Sequence, residues 1–229
     1  MKILKLYVCF LVLIFLPHCS FKTRNDYSGK ELIFQAPTPL SYQDAGIQFA
    51  KMARKAAETA QKRDSSDFQL ITSVAFNKDS KRITESITKV LLYPPSQEST
   101  SHSCPFCSII DEKSSPQIIE KNNYAMAIKK LRPVANVNFL IIPIKHIANL
   151  KSFIFPENNL LLTKMFEMAL AIAQNGSAGR FRLQINNGKN AGQSVFHTHM
   201  HITMDDPFLI YKGKRIGSRN DSMSKSPVK

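Results

Sequence analysis

The stretch 191–202 places three histidines at alternate positions, His197, His199 and His201. Side chains alternate between the two faces of a strand, so the spacing predicts a strand with all three imidazoles on one face. Same-face neighbours stand about 7 Å apart, which is too far for three imidazoles to bind one metal ion at about 2 Å per bond. A phosphate fits this spacing better, held against His199 between His201 and the donors of the 192–194 turn.

The three histidines could also have a structural or a metal-binding role. A single histidine on a half-buried strand is usually a hydrogen-bonded structural residue, but three of the chain's 6 histidines fall within residues 197–201, which disfavours a purely structural role. An H-x-H pair also occurs in sheet-based metal sites, so metal binding is the remaining chemical alternative.

The segment Asn186–Val195, which reads Asn-Asn-Gly-Lys-Asn-Ala-Gly-Gln-Ser-Val, runs directly into the three histidines. Together these residues resemble the histidine triad (HIT) family of nucleotide hydrolases and transferases, and the resemblance extends over residues 104–204. It implies an α+β fold, an antiparallel sheet of about five strands with one long and one short helix, to which the chain adds a helical N-terminal extension. In this family the middle histidine attacks the α-phosphate and forms a covalent nucleotidyl-histidine, a role that the resemblance assigns to His199.

The residues around the histidines suggest how the phosphate would be held. Backbone N–H groups near Gly192, the Ser194 hydroxyl and the Asn186 amide are expected to bind the non-bridging oxygens. Gln193 is expected either to orient the attacking water or leaving group, or to support the turn. The expected catalytic set is His199, His201 and Ser194.

Two features of the sequence bear on the reaction. Transferase branches of the superfamily carry H-x-Gln at the nucleophile, whereas this chain has His201 in place of the glutamine, which favours hydrolysis. The resemblance therefore implies cleavage of a nucleoside monophosphate from its leaving group, with a purine nucleotide or a related phosphate ester as the expected partner. The residues leave open whether the leaving group is an amine, another phosphate or an acyl group. The alternatives are a non-catalytic nucleotide- or phosphate-binding module of the same fold and a zinc-binding protein without turnover.

The nucleoside side of the site departs from the family pattern. Lys130 stands where family members carry the acidic residue that accepts the ribose hydroxyls, and Asn138 stands where a histidine is common. A lysine has no acceptor for those hydrogen bonds.

A C-x-x-C pair, Cys104 and Cys107, opens the matching region. Such a pair alone is ambiguous among zinc, redox and disulfide roles. The resemblance to zinc-bearing family members adds His146 and His197, which would complete a closed structural Zn²⁺ site with four ligands. An oxidising compartment would instead favour a Cys104–Cys107 disulfide, and the nearby His102 is expected to be an exposed loop residue.

The N-terminus has the features of a targeting segment. Lys2 and Lys5 precede the apolar run 6–16, so residues 1–20 are expected to be a signal peptide or a membrane anchor. Cys19 is a candidate for lipidation. These features predict attachment at the N-terminus and a location in a bacterial cell envelope or periplasm, with the cytoplasm as the alternative.

Residues 21–103 are predicted to be a linker with a helical extension of unassigned role. An apolar stripe at helical spacing predicts a helix over 41–63. It is expected to be a solvated helix that packs lightly on the domain or on a partner or, alternatively, to contact a membrane. The spacing of Ile83, Ile87, Val90 and Leu91 also favours a helix.

The region 104–205 is predicted to be the HIT domain. Residues 124–129, 138–143 and 181–185 are expected to be strands, and 158–174 a helix with an apolar face. Because the family usually dimerises through this helix and the adjacent strand, a homodimer is expected.

Charge adds one general property. The chain has 31 Lys and Arg against 17 Asp and Glu, a net charge of +14, which gives it a general affinity for polyanions. The sequence has no arginine-aromatic recognition module, so no specific nucleic acid is expected as a partner. The basic tail 206–229 is expected to be disordered.

Overall fold

The computed structural model describes residues 31–36, 38–63, 67–96, 103–129, 137–177, 179–204, 210–211 and 214–215. The strands in these ranges are β1 (Glu31–Gln35), β2 (Leu40–Ser41), β3 (Asp67–Asn77), β4 (Arg82–Tyr93), β5 (Ile118–Lys121), β6 (Ala125–Lys129), β7 (Val137–Pro143), β8 (Arg180–Asn187), β9 (Met200–Met204), β10 (Ile210–Tyr211) and β11 (Lys214–Arg215). The helices are α1 (Tyr42–Lys62), α2 (Pro105–Ile110) and α3 (Asn159–Gly176), with short 3₁₀ turns at Leu150–Ile154, Pro156–Asn158 and Lys189–Ala191.

Nine of the described strands form one antiparallel sheet in the order β1-β4-β3-β8-β9-β7-β6-β5, and β2 pairs with the far end of β4. The five strands β5 to β9 lie in the predicted HIT region, so the expected α+β fold with five antiparallel strands is confirmed there. The other four strands come from the N-terminal segment. They extend the same sheet beyond β8, because β3 pairs with β8 along residues 68–75.

The long helices α1 and α3 pack against each other on one face of the sheet. Phe49 and Phe166 meet edge to face with ring centroids 5.9 Å apart. A Cβ on Gly46 would lie only 2.8 Å from Glu167 Cγ, so the two helices approach closely at this point. The apolar stripe of α1 is mostly alanine and is buried in the core, so this helix packs on the domain more closely than the expected solvated helix would.

The short helix α2 lies on the opposite face of the sheet. Phe106 packs there with Met126, Ile128, Leu140 and Ile142 of strands β6 and β7 in a second apolar cluster. The rest of this face, over β8, β3 and β4, carries the exposed and half-buried side chains of those strands. The result is an open sheet surface with one helix at its edge.

The prediction for the N-terminal segment was wrong in architecture. Within the described part of residues 21–103, the chain forms four strands and a helix that belong to the main sheet and core, and not a linker. The expected helix at 83–91 is strand β4. A bulge in the β3–β4 pairing leaves Thr84 without a cross-strand partner, so apolar residues from both faces of β4 fall at helix-like intervals.

The surface on which the homodimer expectation relied is occupied within the chain. Strand β8 pairs with β3, and α3 packs against α1, so neither is open to a second copy. A homodimer through another surface stays a prediction.

The termini lie largely outside the described residues. The segment 1–30, with Cys9, His18 and Cys19, lies outside the described residues, and so does most of the basic tail 206–229. In the described part of that tail, β10 pairs with β11. Across the described ranges, no helix combines the length and the apolarity needed to cross a bilayer.

Candidate active site and metal centre

A loop between β8 and β9 carries most of the predicted site residues. Gly188 and Gly192 both have positive φ, +88° and +85°, conformations that an L side chain rarely adopts. Between them lies the 3₁₀ turn Lys189–Ala191. The two glycines therefore turn the chain twice at the end of β8, and this brings Ser194 back over the sheet surface.

Strand β9 includes only His201, so the predicted strand over all three histidines was wrong in extent, although the rings of His197 and His199 both pack against Phe106 on the α2 side of the sheet. Strand β9 begins only at Met200, and residues 193–199 have no regular strand structure. Two hydrogen bonds fix the loop against the end of β7: the Thr198 N–H donates to Ile147 O at 2.6 Å, and His197 Nε2 lies 3.0 Å from Pro143 O. The His197 ring lies beside Cys104 and Cys107, whereas the rings of His199 and His201 lie against each other.

His199 lies at the floor of a cleft and is 4% exposed. Its Nδ1 lies 2.9 Å from the His197 carbonyl oxygen, which can only accept, so Nδ1 carries the proton. The neutral ring then has an unprotonated Nε2, the form that a nucleophile requires.

His201 is half-buried on β9, and its ring centroid lies 5.1 Å from that of His199. In the sheet it stands between Leu140 of β7 and Gln184 of β8. Two imidazoles are thus held together at one place on the sheet surface.

The cleft in front of these rings has a volume of about 410 Å³. Its apolar end is formed by Phe106, Leu140 and Val195, and its polar side by Arg182, Gln184, Asn186, Gly192, Ser194, His199, His201 and Thr203. Four of the five predicted catalytic and phosphate-binding positions outside the nucleophile are therefore brought together: Asn186, Gly192, Ser194 and His201.

Asn186 holds the glycine loop in place. Its Nδ2 donates to Gly192 O at 3.2 Å, and its Oδ1 accepts from Gln184 Nε2 at 2.9 Å. The exposed Ser194 follows two residues after Gly192 and lines the same cleft.

Gln193 is the fifth predicted phosphate-binding residue, and the structure gives it a different position. It is 2% exposed and does not line the cleft. Its Oε1 accepts from the Gly188 N–H at 2.9 Å, while its Nε2 donates to Ala148 O at 2.6 Å and to Val195 O at 3.1 Å. Both ends of the amide are used by backbone groups, so Gln193 supports the turn.

A second cluster lies behind the cleft and contains Cys104, Cys107, His146 and His197. Their sulfur and nitrogen atoms all lie within 4.8 Å of one another. Cys104 Sγ is 3.4 Å from His197 Nδ1, and Cys107 Sγ is 3.1 Å from His146 Nδ1. Zinc bond lengths give a ligand-to-ligand separation of about 3.5 Å in a tetrahedron, so this cluster could hold a metal ion.

The ring of His197 is oriented for such a role. Its Nε2–H donates to the Pro143 carbonyl, which leaves Nδ1 unprotonated and facing the two sulfurs. Burial lowers the pKa of His197 to about 4, with smaller contributions from His146 and His199, so the ring is neutral near pH 7. Both cysteines have free thiols.

The pKa of the Cys107 thiol also bears on metal binding. Burial and the neighbouring Cys104 raise the pKa of Cys107 to about 11, so without a cation this thiol stays protonated. A bound divalent cation reverses that preference, because it stabilises the thiolate directly. The edge of Phe106 stands beside both His197 and His199, with centroids 5.8 and 5.2 Å apart, and separates the cluster from the cleft.

Sequence reasoning missed the residues that the N-terminal strands bring to the site. Gln69 Nε2 on β3 donates to Ala191 O at 3.0 Å, and the Asn190 N–H donates to Asp67 Oδ2 at 2.9 Å. Both contacts join positions more than a hundred residues apart, so no local pattern could have revealed them. Lys130 and His102 lie outside the described residues, as does the side chain of Asn138.

Comparison with known proteins agrees with this geometry. The family model described as "Scavenger mRNA decapping enzyme C-term binding" matches residues 103–214. An uncharacterized HIT-like protein of Synechocystis is 38% identical over 104 residues, which cover 45% of this chain and 90% of the relative. Protein HitA of Neisseria gonorrhoeae is 35% identical over 100 residues, which cover 43% of this chain and 92% of HitA. The chain belongs to the histidine triad family.

A solved uridylyltransferase structure is similar over a longer part of the chain. At 14% identity and a TM-score of 0.55, it covers 82% of this chain, and the similarity covers 65% of the uridylyltransferase. This likeness concerns the fold alone. Because the covered share is larger than the family-matched region 103–214 and the residues after it, the similarity takes in part of the N-terminal segment as well.

Proposed function

We propose that this protein is a nucleotide hydrolase that cleaves a nucleoside monophosphate from its leaving group through a covalent nucleotidyl-histidine on His199. The observation that carries the proposal is the His199 ring, whose Nδ1 is bound to a backbone carbonyl while the ring lines a polar cleft. A histidine fixed in this tautomer presents a neutral nucleophile near pH 7.

The reaction takes place in two displacements at the α-phosphorus. In the first, the lone pair of His199 Nε2 forms a bond to phosphorus, and the bond from phosphorus to the leaving group breaks with its electron pair. In the second, water attacks the phosphorus and loses a proton to solvent, and the bond from phosphorus to Nε2 breaks with its electron pair returning to Nε2 as nucleoside monophosphate is released. Each displacement has a lower barrier than a single direct hydrolysis.

The surrounding residues stabilise the charge on the phosphoryl oxygens. The Ser194 hydroxyl, the Asn186 amide and His201 line the cleft, whereas the N–H groups of Gly192 and Gln193 donate to Lys189 O and Gly188 O within the loop. Donors held in fixed positions stabilise the transition state without reorganisation. Gln193 acts indirectly, because it keeps the loop in shape through its three backbone contacts.

The test uses purified protein and adenosine 5′-phosphoramidate or AMP-lysine. Release of AMP that disappears in His199→Gly supports the proposal, and added imidazole should restore part of it, since imidazole can occupy the space of the missing ring. His199→Gly should retain AMP binding measured by calorimetry. Undiminished hydrolysis by His199→Gly would exclude the covalent intermediate, and AMP binding by the native protein without turnover would favour a binding module instead.

We also propose that the cluster of Cys104, Cys107, His146 and His197 holds a structural Zn²⁺. Two thiolates and two imidazoles are a donor set typical of closed zinc sites, and the distances between their ligand atoms fit one ion. The ion would fix the start of α2 to the loop that carries His199. Elemental analysis in the presence of reductant should give about one zinc per chain, and Cys107→Ser should lose it.

The N-terminal features support a further proposal, that the protein is exported and attached to a membrane of the cell envelope through residues 1–20. Fractionation of cells that express the full chain tests it, with Cys19→Ala as the variant that would abolish lipid attachment. Recovery of the native protein wholly in the cytoplasm would exclude it.

A further inference from the structure

The cleft at the histidines continues along the sheet towards the N-terminal strands. A second hollow of about 450 Å³ shares two lining residues with it, Arg182 and Thr203. Ser73 and Ala75 of β3 and Glu85 of β4 are among its other lining residues. These three residues lie outside the family-matched region 103–214, so the N-terminal segment builds one wall of this hollow.

The register of the sheet defines the distance from the nucleophile. Gln184 of β8 stands opposite His201, and Arg182 stands opposite Thr203. Alternate residues on one strand face are about 7 Å apart, so Arg182 lies one such step beyond Gln184 and Arg180 lies two. Ser73 pairs with Arg182 on the other side. A substrate bound at His199 that extends along β8 would meet these two arginines in turn.

Both arginine side chains are available to a ligand. Arg180 and Arg182 are exposed, and in the described part of the chain no hydrogen bond or ion pair engages either guanidinium. The one acidic side chain in the wall, Glu85, is exposed as well. Guanidinium groups bind phosphate through paired hydrogen bonds, whereas they repel an ammonium group.

The cleft at His199 and the second hollow form one combined cleft, and its two ends differ in chemistry. The end near Phe106, Leu140 and Val195 is apolar, and the end near Arg180 and Arg182 is cationic. A nucleotide whose scissile phosphorus lies at His199 has an aromatic base on one side and its leaving group on the other. The apolar end suits the base, and the cationic end therefore suits an anionic leaving group.

We propose that the hollow between β8 and the N-terminal strands is a leaving-group subsite, in which Arg180 and Arg182 bind the phosphate of a phosphate-bearing leaving group. The preferred substrate is then a nucleotide anhydride, with a second phosphate ester beyond the scissile bond, and not a nucleotide joined to an amine. The inference rests on the proposed function, because it assumes that cleavage occurs at His199.

The test compares two substrates that share the adenylyl group. Adenosine 5′-phosphoramidate has a small leaving group without phosphate, whereas ADP-ribose loses ribose 5-phosphate. The readout is the ratio of kcat/KM for ADP-ribose to kcat/KM for the phosphoramidate. Arg180→Gln should lower this ratio about tenfold, and the double variant Arg180→Gln/Arg182→Gln should lower it further, because hydrogen bonds to a charged group are lost.

Two variants in the N-terminal wall test its part in the subsite. Ser73→Phe should fill the hollow opposite Arg182 and lower the ratio, and Glu85→Gln should raise it by removing a negative charge. Lys89→Gln is the matched control: it removes one cation on β4, which is paired with Glu31 at 3.0 Å outside the hollow, and should leave the ratio unchanged.

The outcomes separate this inference from the proposed function. If the native protein hydrolyses neither substrate, the proposed function fails. If phosphoramidate is cleaved in a His199-dependent way, but ADP-ribose is not cleaved or the arginine variants leave the ratio unchanged, the proposed function stands and the subsite is excluded.

Discussion

The contact between Asp67 and the glycine loop gives the sharpest stability prediction. Asp67 is 1% exposed, and its Oδ2 accepts from the Asn190 N–H at 2.9 Å while its Oδ1 accepts from the Ser96 N–H at 3.3 Å. The Ser96 hydroxyl donates to the same carboxylate and accepts from the Lys189 N–H at 3.0 Å. One carboxylate thus joins the start of β3, the segment after β4 and the loop of the candidate active site.

The substitution Asp67→Asn keeps the size of the side chain but replaces one acceptor oxygen with an NH₂ group. Either orientation of the amide places that NH₂ against a backbone N–H, so one partly buried donor loses its acceptor at a cost of about 2 kcal/mol in the free energy of unfolding. For a chain of this length, that change lowers the melting temperature by roughly 4–8 °C. The turnover number should also fall, because Gly192 and Ser194 belong to the same loop.

Scanning calorimetry and AMP-release kinetics measure the two effects on the same preparations. Asp79→Asn is the matched control, since Asp79 lies exposed in the turn between β3 and β4 and should tolerate the same change. If Asp67→Asn melts within about 1 °C of the native protein, the contact does not stabilise the loop. A stable variant with lost turnover would show that Asp67 acts on the site alone.

Three further predictions concern the loop and the metal centre. Gly188→Ala should lower the melting temperature more than Gly192→Ala. Both positions have positive φ, but only the Gly188 Cβ would overlap the Asp67 carboxylate, at 2.1 Å from its Cγ. Equal decreases in melting temperature would contradict this. Chelator added with reductant should lower the melting temperature of the native protein and leave Cys107→Ser unchanged, and an unaffected native protein would argue against a structural metal. In the metal-free protein, stability to urea should fall as the pH is lowered from about 6.5 towards 4, because the unfolded chain protonates His197 near its ordinary pKa of about 6.5, whereas burial holds the folded pKa at about 4. This loss should be smaller in His197→Gln, and an equal loss in both proteins would refute the assignment.

Local patterns were sufficient where one face of an element decides its structure. The apolar period of α3 predicted a helix at 158–174, and Asn159–Gly176 is helical because that face is buried in the core. The alternation around residues 124–129 also predicted β6, although residues 125–128 are buried on both faces of the sheet. The same reasoning was wrong for strand β4, where it predicted a helix. The bulge at Thr84 and the apolar residues on both faces of β4 produce a spacing that resembles a helical period.

The sequence by itself determined the family, the candidate nucleophile and the four residues of the metal cluster, because these depend on residue types at fixed spacing in motifs such as His197-x-His199-x-His201. Only the tertiary structure decided that strand β9 begins after His199 and that Gln193 braces the turn, since backbone hydrogen bonds fix the loop where alternation predicted a strand. It also decided that β3 and α1 cover the edge of the HIT domain. Pairing between Gln69 and Asn186 joins residues far apart in the chain, and such contacts form through burial and sheet pairing, which leave no local signature in the sequence.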